Sequence, residues 1–314
     1  MAAVAQDLKG RSYTKVADWT RAELEQVLDL ADELKRAQKV REEHQLLPGR
    51  TIGLIFEKPS TRTRVSFGVG IAQLGGTGLT FSDGDLHVGR TESIRDTAAV
   101  LSRYLDALVI RTFAQADVED FAEHASIPVI NALTDTSHPC QVLADLMTIR
   151  ERRGALEGLK LVYVGDGNNV CASLMVGAAK FGMDFVAATP SGYEPNERAV
   201  EIAREAAVES GGSVDVTPDV RGAVVGADVV CTDVWTSMGQ EAESQRRGRD
   251  LAGYGIDAEL VHAAGEQAIV MHCLPAHYGE EITEDVAYGP QSAVFDEAEN
   301  RLHAQKALMA LVIR

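Results

Sequence analysis

The sequence is poor in aromatics, poor in lysine, and free of long apolar runs. Aromatic side chains make up 5% of its 314 residues, and lysine supplies 8 of the 30 basic residues that stand against 47 acidic ones. A net charge of −17 argues against nucleic acid and anionic membranes as partners. No apolar stretch approaches the roughly 20 residues of a membrane helix, and MAAVAQDLKGRSYTK shows no apolar core of a secretory signal. Cys140, Cys171, Cys231 and Cys273 form no CxxC pair and no metal-ligand spacing. Reduced thiols in a cytoplasmic protein, with no metal and no cofactor, are the expectation.

What is present is regular alternation. Apolar strand patterns fall at 51–56, 106–111, 127–131, 160–164, 184–188, 213–217, 227–232 and 268–272. Helical patterns fall between them, at 61–74, 93–104, 116–125, 138–152, 169–181, 194–209 and 298–313. An earlier helix is announced by Thr20 and Glu23, a capping-box spacing. Strand and helix in strict alternation predict parallel sheets with right-handed crossovers. The length suits two domains. The charged, glycine-containing stretch ERRGALEGLK predicts the boundary, giving 1–150 and 151–297. The last helix, in 298–314, completes the first domain.

In parallel sheets, ligands lie beyond the carboxyl ends of the strands. After strand 51–56 comes STRTR, with Ser60, Thr61, Arg62 and Thr63 at a helix start. Amides, hydroxyls and a guanidinium fork suit a phosphate there; a capped helix with solvent-facing arginines is the alternative. On so acidic a chain, any anion site must be built locally from such groups. Arg111 closes the next strand. TDTSHPCQ then brings His138, a donor for a carbonyl oxygen, and Gln141, an acceptor for an amide. GDGNN lacks the third glycine of a dinucleotide fingerprint, having Val170 there. It offers Asn168 and Asn169 instead. DVWTSMG offers Asp233 for a cation, with Ser237 and Met238 in a loop, and HCLP ends a strand in Cys273 and Leu274. The first half gathers anion-binding groups and the second half groups for a zwitterion. That division suggests a two-substrate transferase reacting in a cleft.

STRTR, HPCQ, DVWTSMG and HCLP, with GRTESIRDTA, GDGNN and EAENR between and after them, resemble the aspartate/ornithine carbamoyltransferase family, and the SMG loop with HCLP its ornithine branch. The resemblance implies an α/β fold of two Rossmann-like domains, each a parallel sheet flanked by helices, for carbamoyl phosphate and L-ornithine in turn. It implies that Ser60, Thr61, Arg62, Thr63 and Arg111 bind phosphate, and that His138, Gln141 and Arg301 hold the carbamoyl group. Asn169 and the Met238 amide take the α-carboxylate, Asp233 and Ser237 the α-amino group, and Cys273 and Leu274 border both the δ-amine and the carbamoyl group. Arg111, His138, Asp233 and Cys273 carry the catalysis, a direct attack of the neutral amine giving L-citrulline and phosphate. His87 comes from a neighbouring subunit of a homotrimer. Gly68 and Tyr278 depart from the family, where glutamate and arginine are common. Rival readings are a carbamoyltransferase for another amine, such as putrescine, and a non-catalytic protein on the same fold.

Overall fold

The computed structural model describes residues 6–82, 92–237 and 239–314. The chain folds as two compact units. One runs to Met147 and takes back Asn300–Arg314; the other is Thr148–Glu299.

The first unit opens with α1 (Arg21–Lys39), held at its start by the predicted capping box. The Thr20 side chain accepts from the Glu23 amide, and the Glu23 carboxylate accepts from the Thr20 N–H at 2.7 Å. Then follow β1 (Thr51–Phe56), α2 (Thr61–Gln73), β2 (Thr77–Ser82), α3 (Ile94–Leu101), β3 (Ala107–Arg111), α4 (Gln115–His124), β4 (Val129–Leu133) and the start of α5 (Pro139–Arg153), whose last residues fall to the second unit. The strands lie parallel in the order β2-β1-β3-β4. Ile55, Leu108, Ile110, Phe121 and Val129 form one of its buried apolar clusters.

The second unit contains β5 (Lys160–Val164), α6 (Asn169–Lys180), β6 (Asp184–Ala188), α7 (Glu197–Ser210), β7 (Ser213–Thr217), α8 (Val220–Val224), β8 (Val229–Thr232), α9 (Ser244–Asp250), α10 (Ala258–Ala264), β9 (Ile269–His272) and α11 (Glu284–Ala287). It also holds the start of α12 (Val294–Val312). Its parallel sheet has the order β7-β6-β5-β8-β9. The end of α12 belongs to the first unit, where Lys35 donates to Asn300 at 2.7 Å. The predicted α/β class and the return of the last helix are both met.

Local expectations need correction. β2 was not predicted, because TGLTFS is an edge strand with little apolar patterning and five of its six residues exposed. β4 begins two residues later than expected, after Pro128, which has no N–H for the ladder. α12 begins at Val294 rather than 298, with Asp296 and Glu297 in its first turn.

Each sheet has one place where the chain reverses its direction of growth. In the first it lies between β1 and β3; in the second, between β5 and β8. Ligands of open parallel sheets bind outside the carboxyl ends of the strands at such points. STRTR and Arg111 follow β1 and close β3, whereas GDGNN and Asp233 follow β5 and β8.

Candidate active site

In the first unit, Ser60 is the N-cap of α2, and its Oγ accepts from the Thr63 amide at 3.3 Å. That bond uses a lone pair and leaves the hydroxyl proton for an anion. Thr61 and Arg62 are exposed, whereas Thr63 is buried. Arg64 is no part of this cluster. Its guanidinium lies over the Phe56 ring at 5.2 Å and donates to Ser82 Oγ at 3.3 Å. So one of the two arginines in STRTR packs on the protein itself.

Arg301 comes to the same helix from α12. Its Nη2 donates to Thr63 Oγ1 at 3.3 Å, and its Nη1 donates to Gln141 Oε1 at 2.6 Å. Gln141 Nε2 in turn donates to Asp145 Oδ1 at 2.7 Å. The Gln141 amide is therefore oriented at both ends, its oxygen towards the arginine. Arg111, His138 and Arg301 are all buried. Burial, then the charges of Arg301 and Arg111, hold the His138 imidazole well below the ordinary histidine range. At neutral pH it is an uncharged ring, which donates a hydrogen bond through one nitrogen only. His87, assigned to a neighbouring subunit's site, lies outside the described residues.

In the second unit, Asn168 caps α6. Its Oδ1 accepts from the amides of Val170 and Cys171, at 2.9 and 3.1 Å, and from the Tyr163 hydroxyl at 3.2 Å. Its Nδ2 is left to donate, and it reaches Asp233 Oδ2 at 2.8 Å. The other carboxylate oxygen of Asp233 accepts from the Cys273 thiol at 3.1 Å. Asn169, next to the cap, is the first residue of α6 and half-buried. Gly167 lets this loop pass close to another, since a Cβ there would stand 2.3 Å from the Pro195 nitrogen.

Ser237 is half-buried, and its carbonyl accepts from the Gln240 amide at 3.0 Å. Met238 lies outside the described residues. The DVWTSMG loop is tied down by a residue the sequence reading missed. Arg247 is buried, pairs with Asp166, and donates to the Trp235 carbonyl at 2.5 Å. Burial pushes the Asp166 carboxyl up to about 6, although Arg247 opposes the shift.

His272, also missed, supports HCLP. Its Nδ1 accepts from the Leu274 amide at 2.8 Å, so its Nε2 carries the proton and donates to Glu281 Oε1 at 3.1 Å. Both side chains are fully buried. Leu274 has φ +58, a left-handed conformation that costs a non-glycine residue roughly 1–2 kcal/mol. The bond from its amide to the imidazole holds it there. Asp233, His272 and Cys273 also bring ligand-type atoms within 4.8 Å of one another. Both His272 nitrogens are already engaged, however, so a metal ion there would have to break one of those bonds.

Relatives carry the same architecture. Residues 11–151 match the model of the aspartate/ornithine carbamoyltransferase carbamoyl-P binding domain, and residues 157–312 match that of the family's Asp/Orn binding domain. The chain is 56% identical over 308 residues to an ornithine carbamoyltransferase of Oceanobacillus iheyensis, covering 98% of this chain and 96% of that protein. It is 57% identical over 306 residues to one of Symbiobacterium thermophilum, covering 98% and 99%. The solved structure of the Pyrococcus furiosus ornithine carbamoyltransferase superposes with a TM-score of 0.96 at 51% identity, over 98% of this chain and 99% of that one. Likeness over nearly the whole length, in both units, assigns this chain to the aspartate/ornithine carbamoyltransferase family.

Proposed function

We propose that the protein is an ornithine carbamoyltransferase: it moves the carbamoyl group of carbamoyl phosphate to the δ-amine of L-ornithine, giving L-citrulline and phosphate. The observation that carries the choice of acceptor is the Asn168–Asp233–Cys273 arrangement. It sets a carboxylate for an α-ammonium beside a thiol that would border a second amine.

The roles follow the chemistry of each group. Ser60, Thr61, Arg62, Thr63 and Arg111 take the phosphate, and His138, Gln141 and Arg301 take the carbamoyl group. A neutral His138 gives a hydrogen bond to the carbamoyl oxygen without adding a third cation beside Arg111 and Arg301. Those two arginines stabilise the charge that develops on that oxygen and on the leaving phosphate. Asn169 and the Met238 amide take the α-carboxylate of ornithine, and Asp233 and Ser237 its α-amino group. Cys273 and Leu274 border the δ-amine.

That amine has a free pKa near lysine's, about 10.4, so reaching the neutral form near pH 7.5 costs roughly 4 kcal/mol. Desolvation and the Cys273 sulfur as acceptor lower this cost. We read Cys273, whose thiol donates to Asp233, as a positioning group and the transfer as a direct attack of the amine with no covalent enzyme intermediate. The resemblance further supports a homotrimer in which His87 of a neighbouring subunit completes each site. Cysteines without a disulfide support a reducing, cytoplasmic setting.

The test is direct. Purified protein with carbamoyl phosphate should form citrulline from L-ornithine and phosphate in equal amount. Equal or faster turnover of putrescine, which has no α-carboxylate, would refute the choice of acceptor.

A further inference from the structure

The turn after HCLP gathers a second set of ligand-type groups, one that the proposed transfer reaction does not use. The Glu280 amide donates to the His277 carbonyl at 3.0 Å, closing a four-residue turn with Gly279 at φ +92. Such a turn brings the Cα atoms of its first and last residues within about 7 Å of each other. The next residue, Glu281, points inward and is fully buried. Its Oε1 accepts twice, from the His277 amide at 2.6 Å and from His272 Nε2 at 3.1 Å. Its Oε2 is buried with no hydrogen-bond partner and faces His277 Nδ1 at 3.7 Å. Atoms of His277, Glu280 and Glu281 lie within 4.8 Å of one another.

We infer that His277 Nδ1, Glu281 Oε2 and the Glu280 carboxylate form a binding site for one divalent transition-metal ion such as Zn²⁺ or Co²⁺. A buried carboxylate oxygen without a donor is costly, and an ion is the partner that the facing imidazole nitrogen and second carboxylate would share. The spacing fits. An ion bonded to both Nδ1 and Oε2 at about 2.1 Å would span their 3.7 Å separation at an angle of about 120°, within the range of a four-coordinate site. One imidazole and two carboxylates leave a position for water. The charge fits as well, since two carboxylates neutralise a dication, and a chain of net charge −17 concentrates cations around it. Unlike His272, His277 is half exposed at 51%, so its ring is open to an incoming ion. Occupancy would pin the turn whose Glu281 also fixes His272, the residue before Cys273.

Cobalt(II) is the probe, because its absorption spectrum separates nitrogen and oxygen ligands from thiolate. Metal-free full-length protein should bind one Co²⁺ per chain without a thiolate charge-transfer band, and Zn²⁺ should displace it. His277→Ala and Glu280→Gln, both exposed and tolerant of change, should each weaken binding at least tenfold. Cys273→Ser should leave both affinity and spectrum unchanged. A thiolate band, loss of binding in Cys273→Ser, or full affinity in His277→Ala would overturn the assignment. So would absence of stoichiometric binding. None of these readouts depends on which amine the enzyme carbamoylates.

Discussion

Replacing Asn168 separates two jobs that one side chain performs. Its oxygen caps α6 and its nitrogen holds Asp233. Asn168→Ala removes both. Loss of a cap costs about 0.5–2 kcal/mol. Loss of a donor to a carboxylate that is 6% exposed costs about 1.5–3 kcal/mol. The expected destabilisation is therefore about 2–5 kcal/mol. Asn168→Asp keeps the cap, since aspartate caps as well as asparagine, but sets a second carboxylate where the donor stood.

Two unit charges about 3 Å apart repel by roughly 5 kcal/mol at an effective dielectric of 20, so one of the pair will take up a proton instead. The folded-state pKa is then raised above the unfolded value of about 3.9. The folded state holds a proton that the unfolded state has released, and stability falls as pH rises. The Asn168→Asp deficit should thus be large near pH 8 and shrink towards pH 5. The Asn168→Ala deficit should stay nearly level over that range. Urea unfolding at several pH values reads this, and citrulline formation against ornithine concentration reads the site. With Asp233 misdirected, kcat/KM for ornithine should drop at least tenfold at pH 8, about 1.4 kcal/mol of lost stabilisation. Wild-type stability and kinetics for Asn168→Asp at pH 8 would refute the reasoning, and so would identical pH profiles for the two variants.

Arg62→Lys should weaken carbamoyl phosphate binding at least tenfold by calorimetry, because lysine cannot reproduce a forked contact; an unchanged Kd would move the phosphate off Arg62. Burial, then the charges of Lys306, Lys35, Lys39 and His44, hold His303 at about 3. The unfolded chain protonates this residue near 6.5, so stability should be lost as pH falls below that value, by up to about 1.4 kcal/mol per unit. Unfolding of His303→Gln between pH 4 and 6.5 should show a slope shallower by one proton, and an unaltered slope would count against a buried neutral ring. On the proposed trimer, His87→Ala and Arg62→Ala, each inactive alone, should regain part of their activity when their subunits exchange; continued inactivity after verified exchange would show that each subunit holds its whole site. Wild-type protein incubated with carbamoyl phosphate alone should show no mass gain at Cys273, whereas a stoichiometric gain that transfers to ornithine would establish a covalent route.

Most of the fold was legible because its strands are short apolar runs between helices with clear starts. Thr20 with Glu23 is one such start, and both halves of that capping box form. What escaped has physical causes. β2 lies at a sheet edge and buries little, so no apolar pattern marks it. The helices α8, α9 and α10 have five to seven residues each, too few for periodicity to stand out from composition. The residues in the candidate site were legible by motif, but their supports were not. Arg247 reaches Asp166 across 81 positions and Asn168 reaches Asp233 across 65. No local pattern encodes such pairings; they exist only once β5 and β8 lie side by side.

STRTR holds two arginines, of which the sequence reading gave only Arg62 to the anion. Density of charge in a short stretch is not the same as convergence on a ligand. Once Ser60 is the cap and Thr61 opens the helix, successive side chains turn by about 100°, so residues two apart point away from one another. Arg62 and Arg64 therefore cannot serve one anion from the same face. Helix geometry alone separates them, and the structure sends Arg64 to Phe56 and Ser82. Thr63, between them, points inward and is buried. There it meets Arg301, which comes from a helix 238 positions further on. The second guanidinium beside this helix start is thus supplied by the fold rather than by the neighbouring residue. The end of α12 accordingly packs with the first unit, although the whole of the second unit's chain separates the two in sequence.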